Sequence, residues 1–283
     1  LNMPYSVGKL ALATNWIFDI IYPFFNFILL KCALYFYYQE ATMFKRLSLY
    51  TLFLCLVPFF VWGFAYHWHG NNQLMEWDYW LYLLTETGSV PYALITCGVF
   101  ALLFRFLFEN RKQWIMGVIV MGLSVLSTQV IKTGLKTVFA EPRPFTVYLA
   151  EKTESTTDAF YHQDRSERAK LVDKFYSTQA DTPAWLKAHY EDETGYSFPS
   201  GHSIFAATWL MLAVGFSQLL GKRSFKAELL IGAMTIWGVL MLISRVRLGM
   251  HYPIDLFVAI ISAWIVHLII FGFLQKKGLF NNK

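Results

Sequence analysis

Charge is what this sequence has least of. Only 15% of its 283 residues are Asp, Glu, Lys or Arg, while 56% are hydrophobic and 18% aromatic. Soluble domains carry roughly 25% charged residues. The mean hydropathy is +0.40. An ordinary water-soluble globule is excluded, and an integral membrane protein is implied. Cysteine is scarce as well. Cys32, Cys55 and Cys97 all lie in apolar stretches, which excludes a disulfide framework and leaves them as packing residues. No internal repeat, low-complexity tract or flexible linker breaks the chain. An acidic excess is missing too, the formal net charge being +5. The basic residues sit beside apolar segments rather than in one soluble patch, which sets nucleic acid aside as a partner and fits membrane topology.

What is present in quantity is long apolar sequence. A membrane helix needs about 20 mostly apolar residues. Six windows qualify, approximately residues 48–67, 90–108, 113–135, 203–220, 227–244 and 254–274. Residues 72–87, NQLMEWDYWLYLLTET, mix Trp77, Tyr79, Trp80 and Tyr82 with acids and predict a short helix lying at the interface. Lys and Arg in short loops set orientation. Lys45 and Arg46, Arg111 and Lys112, Lys222, Arg223 and Lys226, and Lys276 and Lys277 all fall on one face, the cytoplasmic one. The opposite face, which in a bacterial inner membrane would be the periplasmic one, receives 68–89, 137–202 and 245–253.

The expected fold is therefore all-α: a polytopic membrane protein, a six-helix transmembrane bundle with a small, partly helical periplasmic cap over about 145–198. Within that cap DTPAWLKAHYEDE predicts a helix with Thr182 as its cap and Pro183 at its first position. Residues 1–42 hold enough apolar residues for a seventh span, but Asp19, Pro23 and Lys31 interrupt it. Met43 is followed by Phe-Lys-Arg and a clean apolar run, so the domain is expected over 43–283, with 1–42 an upstream extension.

The polar residues at the outward ends of the spans gather on that one face. KTVFAEPRP brings Lys136 and Arg143, FPSGH brings Ser200, Gly201 and His202, and SRVRLGMHYPID brings Arg245, His251 and Asp255. Lys136, Arg143 and Arg245 suit the oxygens of a phosphate, Arg as a bidentate fork and Lys as a point charge. Ser200 and Gly201 precede a long helix, whose N-H groups and dipole favour an anion. No cluster of carboxylates with spacing for Mg²⁺ or Zn²⁺ accompanies them, so neither metal nor cofactor is expected. Asp255, four residues after His251, can accept from one imidazole nitrogen and leave the other as an in-line nucleophile on phosphorus. His202 is then placed to protonate the leaving alkoxide and to activate water afterwards.

These three strings, K-x6-R-P at 136–144, PSGH at 199–202 and S-R-x5-H-x3-D at 244–255, are those of the type 2 phosphatidic acid phosphatase family, which residues 43–283 resemble. The resemblance implies a six-helix, metal-independent membrane phosphatase acting on lipid phosphates or pyrophosphates, such as phosphatidylglycerophosphate, phosphatidic acid and undecaprenyl pyrophosphate. It implies His251 as nucleophile, passing through a phosphohistidine, and His202 as acid. It also implies Lys136, Arg143, Ser200, Gly201 and Arg245 as phosphate ligands. Vanadium haloperoxidases carry similar strings but are soluble, which the six apolar windows oppose. A lipid phosphotransferase of the same family remains an alternative, since the acceptor is chosen by pocket shape. An anionic-lipid transporter would need polar residues deep in several spans, and only Lys132 and a few Ser and Thr qualify. Taken singly, Lys136 and Arg143 read more readily as interfacial snorkelling residues. Arg247 is read as an ordinary turn residue, and His67, His69, His162, His189 and His267 match no motif and are given structural roles.

Overall fold

The computed structural model describes residues 43–70, 74–221 and 224–280. The chain divides into two compact units, Leu1–Lys45 and Arg46–Lys283. The expected extension over 1–42 lies outside the described residues, and every helix named below belongs to the second unit apart from the first residues of α1.

All described elements are helical. In chain order they are α1 (Met43–Gly63), α2 (Glu76–Glu86), α3 (Tyr92–Leu103, continued by a 3-10 turn Phe104–Leu107), α4 (Arg111–Phe139), α5 (Pro144–Lys152), α6 (Thr157–Tyr161), α7 (Arg165–Tyr176), α8 (Ala184–Asp192), α9 (Gly201–Leu219), α10 (Phe225–Arg247) and α11 (Pro253–Lys277). Five of them, α1, α4, α9, α10 and α11, are long and apolar enough to cross a membrane. The expected span over 90–108 is the exception. Its helix ends at Leu103, where Arg105 Nη1 donates to the Phe108 carbonyl at 2.8 Å and Phe104, Leu107 and Phe108 turn into the core. The chain there tightens into a 3-10 turn instead of carrying the helix onward.

Helix α9 is the axis of the bundle. Every residue from 202 to 217 is buried, and α4, α10 and α11 pack around it. A helix that is apolar on all sides must be enclosed, and its small residues allow close approach. A Cβ on Gly215 would lie 2.1 Å from the Phe271 ring. The outer helices are two-faced. In α4, Gly117, Met121, Ser124 and Thr128 are buried, whereas Ile115, Ile119, Leu123, Leu126 and Val130 form an exposed apolar stripe at helical spacing. Such a stripe suits acyl chains.

The polar segment after α4 forms a helical cap, α5 to α8. It has its own apolar cluster of Phe145, Leu149, Phe160, Val172, Tyr176, Leu186 and Tyr190, which also takes in Leu248 and Met250 from the turn between α10 and α11. Phe145 and Tyr190 stack with centroids 4.3 Å apart, and the Tyr190 hydroxyl donates to the Leu248 carbonyl at 2.9 Å. The cap therefore grips that turn directly. The helix expected after Thr182 begins at Ala184 with Pro183 as its cap, one residue later than expected. The proline holds φ −63° and ψ 150°, so its extended backbone marks the boundary without a side-chain cap.

Helix α2 is amphipathic as its sequence predicts. Asp78, Leu81 and Thr85 face α10, and Trp77, Tyr79, Trp80 and Leu83 are exposed. Arg247, read from sequence as an ordinary turn residue, has a structural partner. It donates from Nε and Nη2 to both oxygens of the fully buried Asp78, each at 2.9 Å, and this bidentate pair ties α2 to the end of α10.

Candidate active site

The three strings meet because short backbone links join their ends. Phe145 N-H donates to the Gly249 carbonyl at 3.0 Å, Ser197 N-H to the Glu141 carbonyl at 2.7 Å, and Ser200 N-H to the Asp255 carbonyl at 3.2 Å. Each link ties one string to another segment. The first follows from a sharp stop in α4, where Ala140 adopts φ 44° and caps Lys136, after which Arg143 leads into α5 with Pro144 at its first position. The third occupies one of the expected backbone donors. Because the Ser200 N-H is engaged by Asp255, the backbone donors left for an anion at the start of α9 are those of Gly201 and His202. Ser200 acts as the helix cap, its hydroxyl accepting from Ser203 N-H at 3.3 Å.

His251 is buried at the turn between α10 and α11. Its Nδ1 lies 3.1 Å from Asp255 Oδ2, which also accepts from Tyr252 N-H at 3.0 Å and from the Ser197 hydroxyl. Its Nε2 lies 3.2 Å from Arg143 Nη1. A guanidinium can only donate, so Nε2 must be the acceptor and Nδ1 must carry the proton given to Asp255. That tautomer places a lone pair on Nε2. Burial, followed by the charges of Arg143, Arg245, Lys136 and His202, holds the imidazole pKa well below its ordinary range, so the ring stays neutral.

Of the two guanidiniums, Arg245 has the open edge. It is fully buried, with Nη1 donating to Thr85 Oγ1 at 2.8 Å and to His189 Nε2 at 3.2 Å. Nε and Nη2, the pair that forms the side-on fork of an arginine, have no hydrogen-bond partner among the described residues. Arg143 is already bonded. Its Nε donates to the Gly195 carbonyl at 2.8 Å, Nη2 to Glu193 at 2.6 Å, and Nη1 reaches the Met250 carbonyl at 3.3 Å as well as His251. Lys136 donates to the Tyr196 carbonyl. Gly201 admits a close neighbour, since a Cβ there would lie 3.0 Å from the Lys132 side chain.

His202, the second residue of α9, has its Nε2 3.0 Å from the Ser89 hydroxyl. Several neighbours of this site escape a reading by motif. Glu193 pairs with Arg143, and His189 links Arg245 to Glu86, whose carboxylate lies 3.4 Å from Nδ1. His189 thus belongs to the site rather than to the cap interior alone. Burial pushes its pKa down, with the Glu86 carboxylate opposing. Burial pushes the Glu193 carboxyl up, but Arg143, His202, Arg245 and His189 outweigh it and hold that group well below the usual carboxylate range. Glu193 and His189 stand four residues apart near the end of α8, a spacing that could have paired them. The other histidines lie elsewhere. His162 caps α6, where Nδ1 lies 2.7 Å from the Asp158 carbonyl, and His267 is buried in α11 with Nδ1 2.6 Å from the Ala263 carbonyl.

This assembly offers a buried neutral imidazole with a lone pair on Nε2, cationic donors and a second imidazole, a set suited to displacement at phosphorus. Comparison with known proteins agrees. The PAP2 superfamily model matches residues 117–279. The chain is 71% identical over 238 residues to phosphatidylglycerophosphatase B of Haemophilus influenzae, covering 84% of this chain and 99% of that protein. It is 33% identical over 226 residues to phosphatidylglycerophosphatase B of Escherichia coli K12, covering 78% of this chain and 85% of the relative.

Proposed function

This chain belongs to the PAP2 superfamily, and from that membership and its site geometry we propose that it hydrolyses lipid phosphates through a phosphohistidine on His251. It is a multi-pass membrane lipid phosphatase. The observation that carries the mechanistic reading is the His251 tautomer, with Nε2 set as an acceptor beside a guanidinium and near the open Nε–Nη2 edge of Arg245.

The phosphate's non-bridging oxygens would be held by that edge, by Lys136, by Arg143 through the nitrogen beside His251, and by the N-H groups of Gly201 and His202. Such donors aim fixed positive charge at the place where negative charge develops. Nε2 of His251 attacks in line and the alkoxide departs with a proton from His202. The phospho-imidazolium keeps its Nδ1 proton on Asp255, whose charge stabilises it. Water, deprotonated by His202, then releases phosphate. Phosphatidylglycerophosphate is the first substrate we propose, as the relatives' names suggest, with phosphatidic acid and undecaprenyl pyrophosphate as further ones. The site faces the periplasm.

The test is acid- and alkali-quenched turnover of ³²P-labelled phosphatidylglycerophosphate in detergent. Label should remain on the protein in alkali, be lost in acid, and be absent in His251→Ala. Turnover by His251→Ala at the native rate would overturn the mechanism, and appearance of label in an added second lipid would make the enzyme a transferase. For orientation, in a cysteine-free background, a cysteine near residue 160 should react with an impermeant thiol reagent in intact cells, and one in the α9–α10 loop should not.

A further inference from the structure

Residues 85–89, TETGS, end α2 and begin its link to α3, and they belong to none of the three motifs, yet each of them touches the site or its scaffold. Thr85 Oγ1 accepts from Arg245 Nη1 at 2.8 Å and lies 3.0 Å from Ser244 Oγ. Glu86 faces His189, and Thr87 Oγ1 accepts from Trp237 Nε1 at 3.1 Å. Gly88 has no room for a side chain: a Cβ would stand 2.7 Å from Cδ2 of His202. Ser89 Oγ lies 3.0 Å from Nε2 of the same ring. Cδ2 and Nε2 are bonded neighbours, so Gly88 and Ser89 enclose one edge of the imidazole. The Ser89 backbone is fixed on both sides, its N-H donating to the Glu86 carbonyl at 3.0 Å and its carbonyl accepting from Ala93 at 2.7 Å. Its main chain is therefore fixed beside the ring, with the hydroxyl within hydrogen-bond reach of Nε2.

We propose that Ser89 is the positioning residue for His202, accepting a hydrogen bond from Nε2-H so that Nδ1 is the nitrogen that exchanges protons with substrate and water. The inference rests on the proposed acid role of His202. An imidazole whose second nitrogen is held by a fixed partner has a defined tautomer and ring orientation. In the first step the Nδ1 proton passes to the leaving oxygen as its bond to phosphorus breaks and the bond from His251 Nε2 forms. In the second, Nδ1 takes a proton from water as the new P–O bond forms and the P–N bond breaks. Ser89 keeps its own proton throughout, and Nε2-H stays on its oxygen in both steps.

The experiment compares kcat/KM, which reports the phosphorylation step, for phosphatidic acid and undecaprenyl pyrophosphate in Ser89→Ala, Ser89→Thr and His202→Ala. The alkoxide of phosphatidic acid needs protonation far more than the phosphate leaving group of the pyrophosphate. General acid catalysis contributes about 10²–10⁴-fold. Loss of its positioning in Ser89→Ala should lower kcat/KM for phosphatidic acid by about 10–100-fold, and for the pyrophosphate by at most about threefold. His202→Ala should show the same asymmetry, larger, and Ser89→Thr should return both substrates to near the native rate. Pyrophosphate turnover also reports that the variants are folded. An equal loss on both substrates, or no loss on either, overturns the inference. If His202→Ala is asymmetric and Ser89→Ala is not, only the role of Ser89 falls. If His202→Ala lacks the asymmetry, its assignment as acid falls and the role of Ser89 with it.

Discussion

Replacing Gly249 by alanine isolates how the cap controls the proposed nucleophile, because this one residue is constrained in two separable ways. Its φ is +66°, and a Cβ built on it would lie 2.4 Å from Cε2 and 2.6 Å from Cδ2 of Trp68. The left-handed backbone costs an L-residue roughly 1–2 kcal/mol. The overlap requires a movement of about an ångström to restore ordinary contact, and overpacking of this kind costs about 1–3 kcal/mol. Trp68 is not at liberty to give way, since its ring packs edge-on against Tyr148 at 5.4 Å beside the cap cluster. The turn must yield instead. It lies between Arg245 and His251, so both the guanidinium and the imidazole proposed for the reaction move with it. A misplacement of 1 Å can cost about 10²-fold in rate. Gly249→Ala should therefore lower kcat for phosphatidic acid by about two orders of magnitude and lower the apparent unfolding temperature in detergent. Gly122→Ala in α4, where nothing lies within 4 Å of the added Cβ, should do neither. In Gly249→Ala combined with Trp68→Ala the overlap is gone and the backbone strain remains, so turnover should recover in part. Native turnover and stability in the single variant would refute this account, as would a double variant no better than the single one.

His251→Ala should abolish turnover, whereas Asp255→Asn, which leaves the imidazole and removes only the charge facing Nδ1, should retain a trace about 10⁴-fold below native, by analogy with loss of a triad carboxylate; the released-phosphate assay decides, and Asp255→Asn within tenfold of native would contradict it. Activity should survive excess EDTA, because the cradle is built from guanidinium, ammonium and backbone N-H groups; loss restored by Mg²⁺ would count against that. Acid should destabilise the fold through His251 and His189, whose pKa values are depressed, so the folded state binds fewer protons than the unfolded chain. Their contribution is fully present above the unfolded imidazole value of about 6.5 and is lost as pH falls toward the folded values. The apparent unfolding temperature should drop between pH 7 and pH 5, and less so in His251→Asn; equal drops would exclude His251 as a source.

Much of this arrangement is legible in sequence, and the rest fails for identifiable reasons. Apolar windows predict α1, α4, α9, α10 and α11 because a membrane helix needs a run that no other element needs. The window at 90–108 does hold an apolar helix, but a shorter one, because composition does not register the turn in which Arg105 donates to the Phe108 carbonyl. The strings around Lys136, His202 and His251 are visible because several chemical residue types recur at set spacing. Ser89, Thr85, Glu86 and His189 have no such signature. Ser89 meets His202 across 113 positions and Thr85 meets Arg245 across 160, and a lone hydroxyl beside an interfacial helix has an ordinary explanation in solvation. Ser200 shows the converse difficulty. Its place before a helix predicts both a cap and an anion donor, and only tertiary structure reveals that the N-H is taken by Asp255.

The placement of Arg245 argues that the site's charges are there for the reaction rather than for the fold. A buried cation is expensive, and ion networks of this kind can often be replaced by apolar residues with no loss of stability. Here Nη1 is satisfied by Thr85 and His189, while Nε and Nη2 have no hydrogen-bond partner among the described residues. Each buried donor without a partner costs about 1–3 kcal/mol, and a phosphate oxygen pair answers both. The same burial that makes the open fork unfavourable also removes the water that would compete for it, so the attraction to a phosphate is stronger than at an exposed arginine. His251 benefits in a parallel way. Desolvation and three nearby cations keep its Nε2 unprotonated, and they also draw the anion to within reach of that lone pair. The neutral imidazole and the positive charge around it are thus two consequences of one choice, which is to enclose the residues of the α10–α11 turn beneath a cap at the end of the bundle.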